Sequence, residues 1–101
     1  MAVLAIFTGN GITKEMYEAL RNEVQWESRH PGGGIFHACA FDEGGNLHVV
    51  DVWESPEAMD AFVSTRLLPA MQKLGVPPPI VEVHPVHNVN VYPGAQSYFL
   101  R

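Results

Sequence analysis

The sequence predicts a single α+β domain of order β-α-β-β-α-β, with two helices on one face of an antiparallel sheet. Three observations predict this fold class. Four apolar runs have the length of strands, two helix-start signals each follow such a run, and a Gly-rich turn joins the two central runs. A chain of 101 residues is one domain. Its core is modest, because folding at this size buries roughly 60 to 65% of the surface of the unfolded chain.

The first half of the chain contains a strand, a helix and a second strand. The apolar run 3–8 is the predicted first strand, and it ends in a Gly-Asn-Gly turn. Thr13 then serves as the N-cap of a helix, because its hydroxyl can accept a hydrogen bond from the first turn. Four glycine and proline residues end this region before the second strand, residues 35–41. The apolar face of the helix is predicted to be Met16, Tyr17, Leu20 and Val24.

The second helix has a clear start and an interrupted middle. Ser55 is a preferred N-cap, Pro56 suits the first helical position because its missing N–H costs nothing there, and Glu57 meets the positive end of the helix dipole. Pro69 lies within the apolar stripe of this helix and cannot continue it without losing a hydrogen bond. We therefore expect a kink or a restart at this position.

The strands determine the predicted architecture. Turn-forming residues separate the second strand from residues 47–53, so these two strands form a hairpin, and residues 80–86 supply the fourth strand. The order is the split βαβ, or ferredoxin-like, arrangement. We place the domain at residues 1–90 and a C-terminal extension at 91–101. Both faces of the hairpin strands are apolar, so we expect a second copy of the sheet to cover the face that the helices leave open, forming a homodimer.

Composition limits the partners and the compartment. The chain is 47% apolar and only 17% charged, which favours self-association, and its net charge is −5. Its six Lys and Arg residues form no basic stripe, so we expect neither nucleic acid nor a membrane surface as a partner. The single Cys39 and the absence of a Cys/His cluster with zinc-site spacing predict a cytoplasmic protein without a metal.

The run 49–58, Val-Val-Asp-Val-Trp-Glu-Ser-Pro-Glu-Ala, and the Phe62-containing helix after it carry a family resemblance. With the element order, they resemble the dimeric α+β barrel superfamily and, within it, the antibiotic-biosynthesis-monooxygenase-like (ABM-like) domains. The resemblance implies a homodimer, but it specifies the activity poorly, because similar barrels include cofactor-free oxygenases, haem-degrading enzymes, isomerases and cyclases. Phe62 and Gln72 occupy the places where the haem-degrading branch has a Trp and a haem-ligating His. We therefore expect no haem and no other cofactor.

Among the five histidines, His37 is the best candidate for chemistry. If Phe41 lies opposite Leu47 in the hairpin, then His37 lies opposite Asp51 on the same face of the sheet. A carboxylate beside an imidazole in an apolar cavity orients the ring and favours its charged form, as a general base requires. His37 and Asp51 are therefore the candidate catalytic residues. The alternative is a structural hydrogen bond between two buried polar groups, and a register slip of one residue would remove the pair.

The candidate substrate-binding residues are apolar or aromatic, and each could instead be part of the core. They are Trp53, Phe62, Tyr17 and Met59. Two classes of function remain open. The first is an enzyme that abstracts a proton from a small apolar or aromatic molecule and continues by oxygenation or rearrangement. The second is a non-catalytic dimeric binding or assembly module whose interior these side chains fill.

Overall fold

The computed structural model describes residues 1–100 and contains four strands and three α-helices, because the second of the two predicted helices is divided into two. The strands are β1 (Val3–Gly9), β2 (Gly34–Phe41), β3 (Leu47–Trp53) and β4 (Ile80–Pro85). The helices are α1 (Lys14–Val24), α2 (Pro56–Phe62) and α3 (Leu68–Leu74), with a π-helical turn at Val63–Leu67 and a 3₁₀ helix at Pro93–Tyr98.

Both predicted N-caps are present. The Thr13 hydroxyl accepts a hydrogen bond from the amide of Met16 at 3.2 Å, and the Ser55 hydroxyl accepts one from the amide of Ala58 at 3.1 Å. Each cap satisfies one of the amides that the first turn of a helix leaves without a partner. Helix α1 ends at Gln25, which adopts the left-handed conformation and donates its amide to the Arg21 carbonyl.

The predicted interruption near Pro69 takes the form of a wider turn. A π-helical turn at Val63–Leu67 separates α2 from α3, and the amide of Leu68 reaches back five residues to the carbonyl of Val63. Pro69 lacks the amide that an α-helix would need and its ring would collide with the carbonyl one turn earlier. The wider turn relieves both problems at this point, so the chain continues in the same direction as α3.

The sheet has the order β2-β3-β1-β4 with every neighbouring pair antiparallel. In the hairpin Phe41 lies opposite Leu47 and His37 lies opposite Asp51, which is the register on which the His37–Asp51 pair depends. The pairing shifts between Gly34 and Phe36, which marks a β-bulge at the start of β2. The ferredoxin-like α+β fold predicted from the sequence is therefore confirmed.

The helices cover one face of the sheet, and the core lies between them. Along β3 the side chains of Leu47, Val49 and Trp53 are buried on this face, and Asp51 shares their parity. The opposite face, which we call the outer face, carries apolar side chains in register across three strands: Ala38, Val50 and Ile6 in one row, and Phe36, Val52 and Leu4 in the next. Five of these six side chains are exposed or partly exposed, and Val52 is buried, at 3% exposure.

Beyond β4 the chain leaves the sheet. The amide of Val86 still pairs with the carbonyl of Ala2, but the segment after it forms only the short 3₁₀ helix. Several of its apolar side chains are more than half exposed, namely Val91, Tyr92, Tyr98, Phe99 and Leu100. Within residues 1–100 no helix is long and apolar enough to cross a membrane.

Candidate functional site

A cavity of about 310 Å³ lies between the helices and the covered face of the sheet. This volume is at the lower end of the range of small-molecule sites, which is about 300 to 1,000 Å³. Its lining is mainly aromatic and aliphatic, and its few polar groups are gathered on one wall, where β2 and β3 meet α1. Such a cavity can hold a small, largely apolar molecule and orient it through a few polar contacts.

His37 and Asp51 form a short hydrogen bond in this wall. The distance from His37 Nδ1 to Asp51 Oδ1 is 2.6 Å. The carboxylate is the more buried partner, with its side chain 13% exposed against 36% for the imidazole. The carboxylate accepts, so Nδ1 carries the proton and donates. This arrangement fixes the plane of the ring and leaves Nε2 directed away from Asp51.

The other ring nitrogen of His37 is bonded to Tyr17. The Tyr17 hydroxyl lies 2.8 Å from His37 Nε2, and the two rings are nearly parallel, with 5° between their planes. Tyr17 comes from α1, where the spacing of the apolar residues directs it toward the sheet and leaves it only 8% exposed. The result is a chain of three side chains, Tyr17, His37 and Asp51, built from one helix and two strands.

Burial sets the protonation of two neighbouring groups. Desolvation is the main cause that raises the pKa of the Tyr17 hydroxyl far above its ordinary range, and the nearby Cys39 contributes in the same direction. Burial also raises the pKa of the Cys39 thiol. Both groups therefore keep their protons at neutral pH. Tyr17 acts as a hydrogen-bond donor to His37, and Cys39 is not a thiolate nucleophile.

Sequence reasoning missed Trp26, which lines the cavity beside the polar chain. Its ring centroid lies 5.6 Å from that of His37 and 5.5 Å from that of Tyr17. Trp26 follows immediately after the left-handed Gln25 that ends α1, so the reversal of the chain turns it back over the cavity. The only signal in the sequence was that Trp26 is a large aromatic residue shortly after the predicted helix. It lies outside the helix, so the three-to-four spacing of the apolar residues does not include it.

Three of the four predicted substrate-binding residues line the cavity, and one does not. Tyr17, Trp53 and Phe62 are part of the lining, and the Trp53 and Phe62 rings pack with their centroids 5.4 Å apart. Met59 is buried in the core but does not reach the cavity wall. It lies three residues before Phe62 on the same helix face, one turn closer to the N-terminus, where the helix packs directly on the core.

The other histidines lie in different surroundings. His48 Nε2 is 2.9 Å from Asp42 Oδ2 at the turn of the hairpin, where both side chains are more than 40% exposed. This contact is the main cause that lowers the pKa of the Asp42 carboxyl, and the backbone amide of Asn46 adds to it. His84 makes a long 3.5 Å contact with Glu82 on the exposed strand β4. His30 is part of the cavity lining.

The loop between α1 and β2, which contributes to the cavity lining, is fixed by contacts from two other segments. Arg66, in the π-helical turn, donates to the carbonyl oxygens of Val24 and Arg29 at 2.9 and 2.8 Å. Gly33 has a positive φ of 80°, and a Cβ there would lie only 2.6 Å from the Cβ of Ala58. Only glycine fits this close approach without displacing the start of α2.

Metal ligation finds no support in the described part of the chain. Within residues 1–100 there is no group of three or more His, Cys, Asp or Glu side chains placed to hold a metal ion. Phe62, at the end of α2, lies in the cavity wall, and Gln72 is exposed on α3. Neither residue is a ligand for haem iron.

No protein-family model and no curated protein sequence matches this chain. Solved structures do match. A proposed antibiotic biosynthesis monooxygenase from Chloroflexus aurantiacus J-10-fl is 17% identical, with a TM-score of 0.64 over 91% of this chain and 100% of that one. SnoaB, a cofactor-independent oxygenase from Streptomyces nogalater, is 12% identical, with a TM-score of 0.62 over 87% and 94% of the two chains. Rv0793 from Mycobacterium tuberculosis is 22% identical, with a TM-score of 0.59 over 88% and 97%.

These likenesses define the class of fold. The chain has the ferredoxin-like α+β fold of ABM-like proteins, so the resemblance seen in the sequence is confirmed at the level of the fold. Identities of 12 to 22% do not carry an activity from one chain to another. The function must therefore be argued from the site.

Proposed function

We propose that the chain is a small-molecule enzyme of the ABM-like type that removes a proton from an aromatic or largely apolar substrate without a cofactor. The observation that carries this proposal is the His37–Asp51 pair in the wall of the 310 Å³ cavity. An oriented imidazole with a carboxylate behind it is suited to general-base chemistry, because the carboxylate stabilises the imidazolium that forms. Trp53, Phe62 and Tyr17 supply surfaces on which an aromatic ring can pack.

The reaction after proton removal takes one of two courses. Loss of a proton from a phenol or an acidic C–H leaves an anion delocalised onto carbon. This carbanion reacts with molecular oxygen in a cofactor-independent oxygenation, or it rearranges and takes up a proton elsewhere. The likeness of this fold to that of SnoaB, a cofactor-independent oxygenase, supports the first course. Rearrangement is the second course, since it begins with the same proton removal.

The working unit that we propose is a cytoplasmic homodimer. The apolar rows of the outer face would be covered by the same face of a second copy. We assign the domain to residues 1–90 and the extension to 91–101, whose exposed aromatic residues would add to the contact between copies. The net charge of −5 disfavours binding to nucleic acid and to anionic membranes.

A second candidate function is a non-catalytic binding or assembly module. One observation favours it: both nitrogens of His37 already have partners within the chain, as expected of a structural hydrogen-bond network. The two candidates differ in whether a ligand reaches His37 and loses a proton to it.

The experiment that separates them uses 7-hydroxycoumarin, a bicyclic phenol whose absorption distinguishes the phenol from the phenolate. At a pH where the free probe is mostly neutral, the enzyme proposal expects the bound probe to be mostly phenolate. His37→Ala should abolish this ionisation, and His48→Ala, which removes the histidine of the exposed pair, should leave it unchanged. Binding without ionisation in the unmodified protein would favour the assembly module, and native mass spectrometry of the purified protein would show any aromatic compound already bound.

A further inference from the structure

The polar chain of the cavity has a property that a simple histidine–aspartate base lacks. The nitrogen that must take the substrate's proton, His37 Nε2, is already occupied by the Tyr17 hydroxyl at 2.8 Å. The lone pair of Nε2 can accept only one hydrogen, and Nδ1 is committed to Asp51 at 2.6 Å. A substrate therefore reaches the base only by displacing the hydroxyl of Tyr17.

We propose that Tyr17 is a second catalytic group, whose hydroxyl donates to His37 in the empty site and to the substrate oxyanion once His37 has taken the proton. The inference rests on the proposed function, because it assumes that His37 is the base. It goes beyond that function because Tyr17 takes part in the chemistry and is not only a surface on which the substrate packs. It also narrows the substrate class to molecules with an acidic aromatic or enolic hydroxyl.

The transfer balances in atoms and charge. The O–H bond of the substrate breaks, its electron pair stays on the substrate oxygen, and a new N–H bond forms at His37 Nε2. The imidazolium so formed has no lone pair left for Tyr17 to donate to. The nearest new acceptor is the substrate oxyanion, which takes one hydrogen bond from Nε2–H and a second from the Tyr17 hydroxyl. Asp51 remains a carboxylate and offsets the positive charge of the ring.

The surroundings of Tyr17 suit this exchange. Its ring is held by Trp26 at 5.5 Å and by the edge of Phe41 at 6.0 Å between ring centroids, so the hydroxyl is presented from a fixed position. Because burial keeps the hydroxyl protonated, Tyr17 acts as a donor at neutral pH and does not compete with His37 for the proton. A fixed donor aimed at a developing negative charge is a common and strong form of transition-state stabilisation.

The requirement for an acidic hydroxyl follows from the competition at Nε2. A ketone or an ether offers no proton to the imidazole, so it cannot replace the hydrogen bond that Tyr17 makes there. A phenol or an enol can, and its oxygen then becomes the acceptor that Tyr17 needs. The cavity is large enough for a bicyclic ring, and its lining offers aromatic faces on which such a ring can stack.

The test compares Tyr17→Phe with His37→Ala, using 7-hydroxycoumarin as the probe and its absorption as the readout. Tyr17→Phe keeps the aromatic packing and removes only the hydroxyl. We expect it to lower the ratio of bound phenolate to bound phenol by about tenfold, since hydrogen bonds to charged groups are worth more than neutral ones. His37→Ala should remove the ionisation altogether, as the proposed function requires.

Each other outcome is informative. Suppose that His37→Ala abolishes ionisation but Tyr17→Phe leaves the ratio of bound phenolate to bound phenol unchanged or raises it. Tyr17 then only blocks the base, so this inference is wrong and the proposed function stands. If His37→Ala leaves ionisation unchanged, the proposed function is wrong and this inference fails with it, as both do if the unmodified protein does not bind the probe.

A second readout needs no ligand. In ¹⁵N NMR spectra of the free protein, Tyr17→Phe should move the His37 Nε2 resonance toward the position of an unbonded ring nitrogen, while Nδ1 stays protonated. An unchanged Nε2 resonance would contradict the resting hydrogen bond on which the inference depends.

Discussion

The two faces of the β2–β3 hairpin carry similar residues in different surroundings. On the covered face, His37 and Asp51 form a 2.6 Å contact inside a cavity, and the second ring nitrogen is bonded to Tyr17. At the turn, His48 and Asp42 form a 2.9 Å contact with both side chains more than 40% exposed. The residue types are the same, and the carboxylates differ most in their surroundings. The Asp51 side chain is 13% exposed and the Asp42 side chain 41%, while the imidazoles of His37 and His48 are 36% and 47% exposed.

A histidine–carboxylate pair becomes a candidate base through its surroundings. In solvent the pair gains little, because water screens the charges and competes for the hydrogen bonds. Under α1 the carboxylate is nearly buried and the ring is fixed at both nitrogens. On the outer face the apolar rows are mostly exposed or partly exposed, and we propose that a second chain covers them.

The largest effect that we expect comes from a charge on the outer face. Sedimentation of the unmodified protein at micromolar concentration should give about twice the chain mass of 11.2 kDa. Ala38→Asp places a carboxylate on β2, at the end of the row that contains Val50 and Ile6, where burial between two sheets would leave it unpaired. We expect this variant to sediment as a monomer.

The matched control for this experiment is Ala61→Asp, the same change at an exposed position of α2 on the other side of the molecule. It should leave the mass unchanged. A stable monomer of the unmodified protein at micromolar concentration, with its outer face in solvent, would contradict the homodimer.

Most of the fold could be predicted from the sequence, because its signals are local. The Thr13 and Ser55 caps and the turn between β2 and β3 each specify an element boundary within a few residues. The register of the hairpin is less securely specified, because the sequence does not exclude a slip of one residue. Pairing Phe41 with Leu47 is the condition under which His37 lies opposite Asp51, and the structure has this pairing.

The site was harder to predict, because it depends on how α1 lies over the sheet. The contact between Tyr17 and His37 joins residues that are 20 positions apart in the chain, and no local pattern specifies it. Trp26 was missed because it lies in the loop after α1, where helical spacing gives no information. Met59 was assigned to the substrate site because helical spacing places it on the buried face, which does not distinguish a core position from a cavity wall.

The next effect separates the core from the cavity on the covered face. Met59→Ala removes a buried side chain that does not line the cavity, so it should lower the free energy of unfolding by about 2 to 5 kcal/mol. Its affinity for 7-hydroxycoumarin, measured in the fully folded protein, should not change. Phe62→Leu, three residues later in the cavity wall, should weaken that affinity. If Met59→Ala binds 7-hydroxycoumarin more weakly, Met59 contributes to substrate binding after all.

A smaller effect tests the charge of Asp51. Asp51→Asn keeps the size of the side chain and an oxygen that can accept from His37 Nδ1, but it removes the charge that stabilises the imidazolium. The ratio of bound phenolate to bound phenol of the probe should fall by about tenfold. Asp42→Asn makes the same change in the exposed pair and should have no effect. An equal fall in both variants would mean that the long-range field of the protein, and not the contact with His37, sets the ionisation.

The smallest effect concerns the stability that the exposed pair contributes, and its sign follows from the direction of a pKa shift. The pKa of Asp42 is lowered in the folded protein, mainly by the hydrogen bond from His48 and then by the amide of Asn46. A carboxyl with a lowered pKa stabilises the fold at pH values above its unfolded-state pKa, which is about 3.9. This stabilisation is lost as the pH falls through the folded-state pKa.

Asp42→Ala should therefore lower the melting temperature slightly at pH 7. The difference from the unmodified protein should shrink as the pH falls below about 3.9 and disappear once the pH is below the folded-state pKa of Asp42. Glu43→Ala, in the same turn, is the control substitution. A difference that persists in acid would mean that Asp42 supports the turn through its shape and not through its charge.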